Sequence, residues 1–96
     1  VQKYPDDGAL WGQLGAAQVG LNQITEGRKA FETAVAKAPG EMAAYQRLAQ
    51  LVWKNQNDTP GARKVLDRMV AALPQEPQAY LIRAKFEAFV AEDDAR

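Results

Sequence analysis

The sequence has no cysteine and no histidine among its 96 residues. Without cysteine there is no disulfide, no thiol nucleophile and no zinc–thiolate site. Without histidine the commonest general base and metal ligand is also missing. An excess of charge of either sign is absent too: 12 Lys and Arg stand against 12 Asp and Glu. A neutral chain lacks the basic field that draws in nucleic acid or an anionic membrane surface. No stretch approaches about 18 apolar residues, so nothing reads as a membrane span. There is no glycine-rich phosphate loop after a strand and no HExxH. No signal-peptide pattern opens the chain, whose start reads as internal. A cysteine-free chain suits cytoplasm or periplasm alike, so the compartment stays open.

What the chain does have is apolar content sufficient for one small core, 47%, and a recurring pattern. Trp11, Tyr45 and Tyr80 begin successive registers 34 and 35 residues apart. Leu14 and Leu48 follow three residues after the first two, and Gly15, Ala49 and Ala84 come one residue later. Pro5, Pro39 and Pro74 close the units. A period of this length means stacked helical hairpins, none able to bury its apolar face alone.

Helical spacing and punctuation divide the chain into five helices. The first starts near Asp7-Gly8, with Asp7 as N-cap, and ends through Gly20 near Leu21-Asn22. The second runs from about Ile24 to Ala38, with Gly27, Phe31 and Ala34 inward and Ile24 and Val35 flanking, and Pro39-Gly40 breaks it. The third covers about Glu41 to Lys54 and turns Tyr45, Leu48, Ala49 and Val52 inward. After the polar turn Asn55 to Asp58, Thr59 reads as an N-cap and Pro60 as the first helical residue. Ala62, Leu66 and Met69 then take the places of Gly27, Phe31 and Ala34. The interval has grown by one residue, which is assigned to the turn before Thr59. A fifth helix spans about Glu76 to Glu92 with no partner after it.

These residues resemble the tetratricopeptide repeat. Trp11, Leu14, Gly15, Phe31, Ala34 and Pro39 match it in the first unit, with departures at Gln18 and Gly27. Tyr45, Leu48, Ala49, Ala62, Leu66 and Pro74 match it in the second, with a departure at Met69. Tyr80 and Ala84 remain in the third, where Arg83 replaces the expected Leu. The resemblance implies an all-α fold, a right-handed α-α superhelix of antiparallel helix pairs, with about five helices here. Residues 1–96 then form one domain, cut from a longer array: a repeat tail (1–7), repeats 8–41 and 42–76, and the first helix of a third repeat (77–92). Small residues at Gly15 and Gly27 would let two helices approach closely, with Trp11 and Phe31 filling the space beside them.

The resemblance also implies a non-catalytic protein-interaction scaffold that holds a peptide or protein along the first helices of its units. Carried over position by position, the groove takes in Ala9, Gly12, Ala16 and Val19, then Ala43, Gln46, Gln50, Trp53 and Lys54, then Gln78, Leu81, Lys85 and Phe89. Gln46, Gln50, Trp53, Lys54, Leu81 and Lys85 are the candidate peptide-binding residues. The amides can bond a peptide main chain, and Trp53 beside Lys54 and Lys85 has a hot-spot composition. Trp53 reads equally well as core or loop packing, and the glutamines as a solvated face. The clamp some family members use on a C-terminal carboxylate is missing, because Gly12 and Ala16 occupy its early positions. No catalytic residue, metal site or cofactor is expected, and neither nucleic acid nor membrane insertion.

The fifth helix carries two faces. Ile82, Phe86, Phe89 and Val90 form a wide apolar stripe, and Tyr80, Ala84, Ala88 and Ala91 a smaller one. If the smaller face packs inward, the larger stripe needs a cover, so self-association through Ile82, Phe86, Phe89 and Val90 is expected; a helix that packs deeper is the opposing reading. Two further readings stay open: a bacterial assembly or maturation factor, suggested by Ala- and Gln-rich usage, and a regulatory segment of an enzyme whose catalytic domain lies elsewhere.

Overall fold

A computed structural model describes residues 8–94. Among them are five α-helices and no strand: α1 (Gly8–Gly20), α2 (Ile24–Lys37), α3 (Met42–Gln50), α4 (Thr59–Ala72) and α5 (Pro77–Asp94). A π-helical turn, Leu51–Asn55, prolongs α3. The Asp7 cap and the 1–7 tail lie outside the described residues. No described helix is long and apolar enough to cross a membrane.

Each helix packs on the next, and α1 also touches α3. The Cα atoms fill a slab of 48 × 35 × 14 Å. The thin dimension fits two helix layers, an interaxial distance of roughly 8–10 Å plus the helix radii. The apolar periodicity supplies the contact between layers. Phe31, Ala34 and Val35 of α2 are buried against Ala44, Tyr45, Leu48 and Ala49 of α3 and Ala62, Val65, Leu66 and Met69 of α4. Gly15 and Gly27 face each other across α1 and α2, their backbones too close for ordinary side chains between them.

Two repeat-equivalent hydrogen bonds fix the entry to α3 and α5. Tyr45 Oη donates to the Pro39 carbonyl at 2.9 Å, and Tyr80 Oη to that of Pro74 at 3.1 Å. Tyr45 is buried, and that burial raises its phenol above 10.0, a shift the nearby Arg68 charge partly offsets.

The extra residue of the second unit sits elsewhere than the turn before Thr59. In the first unit the Leu21 amide bonds to the Ala17 carbonyl at 3.0 Å, a four-residue step; in the second, Gln56 bonds to Leu51 at 3.1 Å, a five-residue step. Past this point the turns coincide. Asn22 and Asn57 hold the same left-handed backbone, φ 64° and 54°, a conformation asparagine tolerates better than most residues. The insertion is therefore absorbed in the helix as the π turn, and Asn22, not Gly20, makes the left-handed exit from α1. The cap of α4 is also one residue earlier than the sequence suggested. Asp58 accepts from the Gly61 amide at 3.0 Å, and Thr59 is already helical.

The sequence-based faces of α5 are reversed in the structure. Phe86 and Val90 are buried, together with Ala79, and Ile82 is half-buried against the same core. The smaller face, Tyr80, Ala84, Ala88 and Ala91, is exposed. The physical reason is area: Phe86, Val90 and Ile82 together remove more apolar surface from water than one tyrosine, which must keep its hydroxyl bonded, and three alanines. Ion pairs reinforce this orientation. Arg63 of α4 donates to Glu87 at 2.8 Å, and Arg83 donates to Asp67 of α4 at 2.9 Å.

Equivalent positions differ at the two ends of the stack. Leu48 is 0% exposed and Leu14 44%; Tyr45 is 3% exposed and Tyr80 49%. Leu14, at the position of the buried Leu48, is exposed, and so are Ala84 and Tyr80, which the repeat pattern assigns to the core.

Candidate functional site

Helix α3 and its π turn separate two clefts. One, of about 300 Å³, lies between α3 and α5 and is lined by Gln46, Ala49, Gln50, Trp53, Ile82, Lys85, Phe86 and Phe89, with Leu66 of α4 as its floor. The other, of about 280 Å³, lies between α1 and α3 and is lined by Ala16, Val19, Arg47, Gln50, Leu51, Lys54 and Asn55, with Phe31 of α2 as its floor. Phe31 and Leu66 are equivalent positions of successive units, so the clefts are repeats of one design. Gln50 faces both.

Their linings differ in kind. Arg47, Leu51 and Lys54 of the first pair of walls correspond, 35 residues on, to Ile82, Phe86 and Phe89 of the second. One cleft is edged by cations and the other is apolar. Within the apolar cleft the Trp53 ring meets Phe86 edge to face, centroids 5.1 Å apart at 73°. The Lys54 ammonium lies 4.1 Å from the centre of the same indole, within cation–π range. Trp53 thus combines the two roles the sequence left open: it packs the π turn onto α5 and stays half-exposed in the cleft wall.

Of the candidate groove residues, the structure brings Gln46, Gln50, Trp53 and Lys85 into one cleft and places Lys54 in the other. Leu81 lines neither and is exposed on α5. Ile82, Phe86 and Phe89, assigned by sequence to self-association, line the same cleft as the groove set, while Val90 is buried in the core. Only Phe89 of that stripe, 57% exposed, is free to meet another molecule across its surface.

Arg47 was missed. Its guanidinium covers the backbone of Gly12, 2.7 Å from where a Cβ would stand. The available signal was the heptad step from Arg47 to Lys54, which aligns both on one side of α3. The carboxylates lie elsewhere. Glu32 pairs with Arg28 and Arg68, Glu26 with Lys29, Asp67 with Arg83, and Glu87 with Arg63 and Arg83. The bonds from Arg63 and then Arg83 hold the Glu87 carboxyl down at about 2, and the bond to Asp67 raises Arg83 above its ordinary value. Among the described residues no group of three or more acidic side chains is placed to hold a metal ion.

Comparison with known families finds a match over residues 26–86 to the tetratricopeptide repeat model. No curated protein and no solved structure matches the chain. Tetratricopeptide repeats generally mediate protein–protein interaction and are generally non-catalytic.

Proposed function

The chain belongs to the tetratricopeptide repeat family, and from this and the paired clefts we propose that it is a scaffold that holds a peptide segment of a partner protein across α3. The observation that carries this reading is the sharing of Gln50 by two repeat-equivalent clefts, one on each side of the same helix. A segment lying over Gln50 reaches both. The Gln46 and Gln50 amides can each donate to and accept from a peptide main chain. The half-exposed Trp53 beside Phe86 and Phe89 offers an apolar anchor point of hot-spot composition.

The test is a peptide array read with the wild-type chain and with Gln50→Ala/Trp53→Ala, with Arg68→Ala as a control on the opposite layer. Loss of bound peptides in the double variant and retention in the control support the reading. Equal binding by all three moves the site away from α3.

The open flanks at Leu14 and at Tyr80 and Ala84 suit neighbouring helices of a longer stack, the arrangement that buries Leu48 and Tyr45 in the middle. Self-association through α5 then uses Tyr80, Leu81 and Phe89 in place of the buried Phe86 and Val90.

A further inference from the structure

We infer that the partner segment is acidic, with carboxylate side chains beside one bulky apolar residue; this rests on the proposed groove and names what it selects. Every charged side chain lining the two clefts is cationic: Arg47 and Lys54 in one, Lys85 in the other. No described carboxylate lies within ion-pairing distance of any of the three. The neutral chain gathers its ion-paired carboxylates, Glu26, Glu32, Asp67 and Glu87, on α2, α4 and the α4-facing side of α5. Cations with no carboxylate among the lining residues give the clefts a local positive charge, although the chain's sum is zero. Complementary charge raises the association rate and rejects basic partners.

The two clefts also give the ligand a register. An apolar side chain enters between Trp53, Ile82, Phe86 and Phe89, and a carboxylate on the far side of Gln50 meets Arg47 and Lys54. A second carboxylate meets Lys85 on the α5 wall. The Arg47 guanidinium lies against Gly12 at the mouth of the cleft between α1 and α3. Three cations spread over two neighbouring clefts, Lys85 in the apolar one and Arg47 and Lys54 in the other, fit a short acidic peptide better than a nucleic-acid backbone, which takes a longer run of positive charge.

The experiment selects 12-residue, C-terminally amidated peptides from a random library on the wild-type chain and on Arg47→Glu/Lys54→Glu/Lys85→Glu, with helicity checked by circular dichroism. Selected peptides should be enriched in Asp and Glu beside Trp, Phe or Leu. Their binding should weaken about fivefold when the acids become amides, as expected of exposed charge pairs, and should weaken further with salt. The triple variant should select Lys and Arg instead. Peptides without acidic enrichment that still lose binding on Trp53→Ala would overturn the charge inference and leave the groove standing. Peptides indifferent to both changes would overturn both. Tighter binding of a thymidine oligonucleotide than of any selected peptide, or binding that needs a free C-terminal carboxylate, would also overturn the inference. Should Trp53→Ala fail to fold, peptide-induced amide shifts in the wild type locate the site: changes in α3 and α5 support it, and changes confined to α2 and α4 overturn it.

Discussion

A Cβ built on Gly27 stands 3.1 Å from the carbonyl oxygen of Gly15, and one built on Gly15 stands 3.1 Å from that of Gly27. The two backbones are in mutual contact, and the Phe31 ring and a Val19 methyl close the space beside them at 2.6 Å. Gly27→Leu is therefore expected to wedge α1 from α2. Overpacking of this kind costs about 3 kcal/mol, enough to broaden or abolish the cooperative transition in urea. Gly27→Ala adds a single carbon and should be milder, its contacts with the Val19 methyl and the Gly15 carbonyl being partly offset by alanine's preference for the helix. A Gly27→Leu variant that unfolds like wild type would remove the close helix contact from the account.

The cap of α4 can be separated from its neighbour. Asp58→Ala should lower stability by about 1 kcal/mol, the usual value of a lost N-cap. Thr59→Ala should do much less, since Thr59 is inside the helix. Thermal denaturation of both variants decides, and the reverse order would restore Thr59 as the cap.

Buried and exposed aromatics of α5 should behave differently. Phe86→Ala is expected to destabilise by about 3–4 kcal/mol. Phe89→Ala should leave stability within about 0.5 kcal/mol and reduce concentration-dependent association by sedimentation. If Phe86→Ala proves as mild as Phe89→Ala, the sequence-based faces of α5 were right.

Glu87 gives the fold an acid-sensitive element. Its carboxyl titrates at about 2 in the folded chain against an ordinary 4.5, held there first by Arg63 and then by Arg83. A folded value below the unfolded one means the stabilisation is complete above about 4.5 and fades as pH falls toward 2. The side chain is 39% exposed, so solvent screening limits the contribution to about 1 kcal/mol. Urea midpoints of wild type and Glu87→Gln, compared at neutral pH and near pH 2.5, should converge in acid. A constant gap would show that the ion pair carries none of the dependence.

Much of the architecture was readable from a few positions. Trp11, Tyr45 and Tyr80 fixed the period, and the small residues after them located the helix contacts, because close packing tolerates little else. The errors had physical sources. α5 is apolar on both sides, so periodicity could not say which side wins, and the area of Phe86 and Val90 decided it. The cap shifted because Asp58 and Thr59 both suit that position and backbone geometry chooses between them. Leu14 fits the core pattern, but a pattern records what a residue can bury, not whether a neighbour is there. Gln46, Gln50, Trp53 and Lys85, which line one cleft, came from the resemblance to the repeat family, carried over position by position. The step from Arg47 to Lys54 was legible, but the contact of Arg47 with Gly12 is made on another helix and was not.

The π turn has one further consequence. It lets a unit change length without disturbing its fellows: the asparagine exit and the next helix start stay in phase, and the surplus atom count is paid out sideways. That displacement falls on Leu51, Trp53, Lys54 and Asn55, all of them cleft walls. Insertions here can retune what the surface recognises while the frame that presents it stays put.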